Sequence, residues 1–423
     1  MKFSACKPDA MPPGLRALFY GVFCWLNRNI IVLRGMGALL RLWPSLGGLF
    51  GLAARARAVT GVLTRPRSFS NTAHAPNLVA GDYLIAMDPG PTYDSDRALL
   101  EQRLACLNVQ VDADGETQRR IPQLKQLGGK SFDLIEDYLM WIAFHAISPV
   151  FGTAANSVAV GAGGSVTDIG LQRQYLLEIR YVAGQLLAGS SSTLRVQRRA
   201  ELCADSLSAR IADVSGQIQN AWGVSNSKVI ERNAVGLAWI SHPVTVQSGA
   251  LVVQELLSRP EVYRTLRSRA ANIGAPRVWQ DNSFRECVRN HVLELMRFRP
   301  IFPLLARAVP RDTEFETGGR RNAQCPGGGQ VAIWSIAALF DPRAVSDSRR
   351  FCPHRDWPDE DLRWLMFGYG DRRCPAREYA VDILTSALIG LLTMPELRLA
   401  RDDGKAIIYD GPLMSRMRVR FVQ

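Results

Sequence analysis

Apolar positions recur along the chain mostly at helical spacing, and the elements they predict fall in a clear order. Residues 1–16, with Lys2, Lys7 and three prolines, read as a loose arm. Ala17 to Leu26 is a mostly apolar run too short to span a bilayer, and Arg34 and Arg41 interrupt the residues after it. Ala17–Ala56 therefore reads as one or two amphipathic helices, with neither a transmembrane span nor a secretion signal. Val59–Ser70 has strand-like and then helical character. Residues 110–130 are polar and read as a loop or short helices, and Phe132–Val150 reads as a core helix. Leu171–Leu187 and Leu194–Trp222 are helix candidates, bordered by small-residue stretches at Gly152–Thr167 and Ala188–Thr193. Asn233–Ser258 is a long apolar helix candidate, interrupted at Ser241-His-Pro-Val-Thr245, where proline removes a bond and bends the axis. Further helices are predicted at Ser283–Arg297 and Val381–Leu392, and strands over Ile407–Val422. This gives an arm with amphipathic helices over 1–58 and one larger unit over 59–423.

Composition narrows the class. The chain has 423 residues, with 51 basic against 39 acidic, a net charge of +12. A basic surface attracts nucleic acid, anionic lipid or an acidic protein. No basic block interleaved with aromatics is present, which argues against nucleic acid. The Trp- and Leu-rich basic segment near the N-terminus suits peripheral contact with a membrane surface. Eight scattered cysteines, without CxxC pairs or zinc spacing, point to a reducing compartment, the cytoplasm. Gly327-Gly328-Gly329 lacks the Lys-Ser/Thr that ends a phosphate loop.

The stretch that carries chemistry is Phe367-Gly-Tyr-Gly-Asp-Arg-Arg-Cys-Pro-Ala376. A cysteine sits behind a glycine turn with two arginines beside it, ahead of an apolar helix. Positive groups and a helix N-terminus favour the thiolate. A fixed thiolate facing a flat cofactor is what axial ligation of heme iron requires. The spacing Phe-x-x-Gly-x-Arg-x-Cys-x-Ala resembles the heme-ligand loop of the cytochrome P450 family. The resemblance implies Cys374 as iron ligand, Arg372 as a propionate partner and Phe367 as a shield for the sulfur. Gly370 would give the turn, and Ala376 would let the next helix approach the heme plane. Pro375, suited to the first turn of that helix, removes a donor that could have bonded the sulfur.

Other landmarks stand in the family's order. Asp88-Pro with Tyr93 and Arg97 beyond it resembles the approach to the heme edge, where family members often carry His and Arg; a capped surface helix reads equally well. Glu294 and Arg297, with the proline-rich exit after them, resemble the Glu-x-x-Arg helix, and Arg307 the propionate-binding arginine beyond it. Arg350 would complete a buried Glu294–Arg297–Arg350 cluster that holds the cysteine loop. Counting back from Pro260, Pro243 and Val244 stand where the family carries an acid and an alcohol that relay protons. His242 and Thr245 are the neighbouring polar groups. His242 reads either as a distal catalytic histidine, as in peroxygenases of the family, or as a packed core residue.

The resemblance implies a mainly α fold with a smaller β-rich part, a cytochrome P450-like heme-thiolate unit holding heme b. The implied activity is monooxygenase-type oxidation of a hydrophobic small molecule, with electrons from an acidic, ferredoxin-type donor. A peroxide-driven peroxygenase, an isomerase or dehydratase, and a heme-binding sensor are the alternatives, because the acid–alcohol pair is missing.

Overall fold

The computed structural model describes residues 13–43, 51–72, 78, 82–154, 158–159, 169–188, 193–320, 322–402 and 404–422. Most of the expected loose arm and of both small-residue stretches lies outside them. The described α-helices are α1 (Pro13–Arg28), α2 (Ile30–Leu42), α3 (Ala56–Leu63), α4 (Pro91–Ala105), α5 (Val109–Gln126), α6 (Met140–Ile147), α7 (Ile169–Ala188), α8 (Leu194–Asp213), α9 (Ser215–Trp222), α10 (Ser227–Leu257), α11 (Pro260–Ile273), α12 (Asn282–Phe298), α13 (Ser335–Leu339), α14 (Glu360–Arg363) and α15 (Arg377–Leu392). The described strands are β1 (Leu52–Ala53), β2 (Phe132–Asp133), β3 (Leu305–Ala308), β4 (Thr313–Glu316), β5 (Asn322–Cys325), β6 (Gln330–Ile333), β7 (Glu396–Leu399), β8 (Ile407–Asp410) and β9 (Leu413–Val422). The chain is mainly α with a smaller β part, as its periodicity predicts.

Two compact units share the chain. The first takes Met1–Leu100, Tyr181–Ser206 and Phe302–Pro375, and the second Glu101–Arg180, Leu207–Ile301 and Ala376–Gln423. In the first, β6 pairs in parallel with β1 and antiparallel with β3, and β4–β5 form a separate hairpin. Helix α2 buries Ile30, Leu33, Gly37 and Arg41 at helical spacing. A Cβ on Gly37 would lie 2.7 Å from that of Ala337, so glycine permits the close approach to α13. Arg41 Nη1 donates to the Ala337 carbonyl at 2.6 Å. Asp341 fixes the start of α3, accepting from the Ala56 amide and from Arg55, each at 3.0 Å. The strand-like expectation for Val59 onward is corrected by this helix. Ala56, Ala58, Val59, Val62 and Leu63 form the buried face of α3, and packing overrides β-branched propensity.

In the second unit, β9 lies between β2 and β7 and also pairs with β8. Residues 110–130 are not a loop: α5 runs unbroken through Pro122 and packs on α15 and α6. Its buried face, Val109, Ala113, Glu116, Thr117 and Leu124, is masked in sequence by polar members. Glu116 is satisfied inside by Arg120 Nε at 2.6 Å and Arg119 Nη2 at 2.9 Å. Gly390 of α15 makes that packing possible, since a Cβ there would fall 2.3 Å from Thr117 Cγ2. Leu134–Gly152 is apolar and long enough to cross a membrane, but 72% of it is buried, as in a core helix. Helix α10 is continuous through Pro243, starting at an Asn226 cap that accepts from the Lys228 amide at 3.1 Å.

Candidate functional site

The loop ahead of α15 is built by two short 3-10 turns, Leu365–Phe367 and Gly370–Arg372. Gly368 and Gly370 take φ of 88° and 68°, where glycine is favoured. A Cβ on Gly370 would stand 3.3 Å from Thr64 Cγ2. The loop closes on itself, the Cys374 amide donating to the Phe367 carbonyl at 2.8 Å. Cys374 and Phe367 are half-buried. Ala376 is the N-cap of α15. Pro375 therefore precedes the helix and does not sit in its first turn.

Around this loop, in the same unit, stands a set of arginines. Arg372 is buried, donates to Asp88 Oδ1 at 3.3 Å and to the Leu84 carbonyl at 3.1 Å, and lies 4.6 Å from the Tyr93 ring centroid. Arg97 Nη1 donates to Tyr93 Oη at 2.9 Å and to the Arg373 carbonyl at 3.0 Å. Arg307 is buried, with Nη1 on the Ala306 carbonyl at 2.7 Å. Burial first, and then the charge of Arg372, lower its pKa to about 10, with Asp88 acting the other way. Burial also lowers Arg372. Burial pushes the Tyr83 phenol up, helped by Cys374 and Asp96. Arg307 and Arg372 are cations held in buried surroundings, with Asp88 near both. Buried cations of this kind are relieved by an incoming carboxylate, so the set fits the anionic edge of a heme. The Tyr93–Arg97 pair thus holds a loop carbonyl, a role its surface-helix reading missed.

The distal candidates lie on α10. His242 Nε2 donates to the Met140 carbonyl at 2.9 Å, and its ring lies edge-on to Phe144. Burial lowers its pKa to about 4, with the Met140 bond acting the other way. Nδ1 is buried without a hydrogen-bond partner among the described residues. Thr245 Oγ1 donates to the Ser241 carbonyl at 2.7 Å. This geometry makes His242 a buried neutral ring with its one N–H held by backbone. Pro243 and Val244 bring no exchangeable side-chain proton.

Glu294 and Arg297 form a two-pronged pair, with Nε to Oε2 at 2.8 Å and Nη2 to Oε1 at 2.9 Å, both side chains almost fully buried. Arg350 does not join a buried cluster. Its side chain is 79% exposed, 3.7 Å from Asp347. A carboxylate shared by two arginines exists elsewhere: Glu255 accepts from Arg259 at 2.7 Å and from Arg299 at 3.2 Å. The Phe298 ring lies between Arg259 and Arg297, 4.3 and 4.5 Å from their guanidiniums. Sequence reading missed this cluster, although Glu255–Arg259 is an i,i+4 pair in plain view. It also missed Gln247, whose amide bonds both the carbonyl and the amide of Met414, at 2.7 and 2.9 Å.

Residues 246–418 match the family model described as Cytochrome P450. The chain is 26% identical over 193 residues to cytochrome P450 99A2 of Oryza sativa subsp. japonica, covering 43% of this chain and 35% of that protein. It is 30% identical over 162 residues to strychnine-11-hydroxylase of Strychnos nux-vomica, covering 35% and 31%. The matches thus span about a third of the length of these curated relatives. In structure, the chain resembles the open cytochrome P450 Eryk from S. erythraea, with TM-score 0.63, 18% identity and coverage of 87% and 89%. It also resembles P450BioI in complex with an acyl carrier protein ligated to hexadec-9Z-enoic acid, with TM-score 0.66, 16% identity and coverage of 88% and 91%. At these identities the likeness is one of fold. Residues 246–418 thus resemble the cytochrome P450 family in sequence, and the chain has the cytochrome P450 fold.

Proposed function

We propose that the protein is a heme-thiolate oxidoreductase that oxidises a hydrophobic small molecule in the manner of a monooxygenase. Heme is the family's cofactor, and when bound it supplies oxidation chemistry at iron. The observation that carries the reading is the Phe367–Cys374 loop with buried Arg307 and Arg372 in the same unit. In this reading Cys374 holds the iron by its thiolate, and Arg97, Arg307 and Arg372 bind the anionic edge of the heme. Phe367 limits water at the sulfur, and Gly370 and Ala376 leave room for the ring. Glu294 and Arg297 stiffen the scaffold. Two relatives support an oxidised organic substrate by name, a strychnine hydroxylase and a diene oxidase. Electrons would come from an acidic ferredoxin-type donor attracted by the basic surface, in the reducing cytoplasm that eight scattered cysteines suit. The test is the reduced carbon monoxide complex. The loaded protein should show the thiolate signature, and Cys374→Ser should lose it; a variant that keeps the signature overturns the assignment.

A second reading is favoured by one observation. On the distal turn Pro243 and Val244 have no proton to give, and His242 and Thr245 donate theirs to backbone. A peroxide-driven peroxygenase, or a non-oxygenating isomerase or dehydratase, needs no acid–alcohol relay. Turnover of compounds found by heme spectral shift, with peroxide alone and with a ferredoxin–reductase system, separates the readings. Turnover in either arm also removes a sensor role.

A further inference from the structure

Asp88 is an acidic side chain set beside buried arginines, and its own place is fixed. Its Oδ1 accepts from the Asn71 amide at 2.7 Å, and its Oδ2 accepts from Ser70 Oγ. Ser70 is held in turn by two backbone bonds with Ala308, at 2.8 and 2.9 Å, and Ala308 follows Arg307 in sequence. The carboxylate cannot swing away from the site without giving up the Ser70 and Asn71 bonds. It is a resident anion, a third exposed, beside an arginine side chain that is 5% exposed.

That arginine is engaged at both ends of its guanidinium. Arg372 Nη1 donates to Asp88 Oδ1 at 3.3 Å, and Nη2 donates to the Leu84 carbonyl at 3.1 Å. Of these two partners only Asp88 carries charge, and it also acts on the Arg307 cation. A carboxylate brought to these arginines therefore meets one already in place. Two carboxylates at one guanidinium repel, so the second binds more weakly than it would to a cation with neutral partners. We propose that Asp88 is an internal competitor for the carboxylates of heme, one that weakens heme retention at Arg307 and Arg372. Its charge does this, and its packing does not. The inference rests on the heme-binding reading above.

The experiment is transfer of heme from the loaded full chain to excess apomyoglobin, followed by absorbance. Asp88→Asn keeps an oxygen acceptor for Asn71 and removes the charge. The expected result is transfer slowed by at least about threefold, with the thiolate signature of the reduced carbon monoxide complex kept. A side chain that only held the loop together would release heme faster when altered, so unchanged or faster transfer overturns the proposal. Heme dimethyl ester, whose carboxylates are blocked, is the control. Variant and wild type should release it alike, and a slowing that persists with the ester also overturns the proposal. Should Asp88→Asn fail to fold, Asp88→Ser makes the same charge change. Failure of both to fold overturns the proposal, because a competitor is dispensable to the fold. Wild type without the thiolate signature overturns the heme reading and this inference with it, whereas a signature with unslowed transfer overturns this inference alone.

Discussion

His242 gives its Nε2 proton to the carbonyl oxygen of Met140, 2.9 Å away. The bond fixes the tautomer, and burial holds the folded imidazole at about 4 against 6.5 in its ordinary state. Between those values the unfolded chain takes up a proton that the folded chain does not. The contribution is therefore complete above 6.5 and is lost as pH falls toward 4. His242→Gln keeps a donor for Met140 and does not titrate. Urea unfolding should show wild type losing about 2 kcal/mol more than this variant between about pH 7 and about pH 5. Equal acid slopes would mean the ring is not buried in its neutral form.

Turnover should be insensitive to the hydroxyl next to it. Thr245 already donates to Ser241, so Thr245→Val should change turnover by less than about tenfold, against the roughly 10²–10⁴ typical of a group that transfers protons. A hundredfold loss with heme retained would return Thr245 to the catalytic set.

Arg307 separates stability from cofactor binding. Its cation is disfavoured by burial and by Arg372 at every pH below about 10, and a bound carboxylate relieves that cost. Arg307→Met should leave the heme-free protein as stable as wild type or more so, by on the order of 1 kcal/mol, while its heme-to-protein ratio falls. Calorimetry of the heme-free form and a hemochrome assay read the two effects. A fall in both, or in neither, would place Arg307 outside the cofactor edge.

Glu294→Ala should cost about 3–5 kcal/mol, because it leaves Arg297 charged and buried without its two-pronged partner. Arg350→Ala should change stability by no more than about 0.5 kcal/mol, as expected of an exposed side chain. Chemical denaturation of the two variants side by side is the measurement, and similar losses would restore the three-residue cluster.

The cysteine loop and the helices were legible because their signals are local. Gly370 needs a positive φ, and the apolar run of α15 needs only period counting. The features that could not be read depend on partners far along the chain. Glu116 looks like a surface residue until Arg119, Arg120 and the Gly390 approach of α15 put it inside. Arg350 looks like the family's cluster residue until its exposure is known, and Glu255 takes that kind of pairing instead. The neutral state of the His242 ring depends on burial and on the Met140 carbonyl, 102 residues away in sequence, which no local pattern signals.

Gln247 binds Met414 through both ends of one amide, and this ties the middle of α10, the longest of the described helices, to the start of β9. The opening residues of a strand ordinarily fray and exchange their amide protons quickly. Here the Met414 proton cannot leave without also stripping Gln247 of a bond inside a buried helix face. The two segments therefore open together, and the Met414 amide should exchange as slowly as the amides of α10. In kinetic terms β9 behaves as part of the helix core: a cut at its start would loosen the helix from its middle outward.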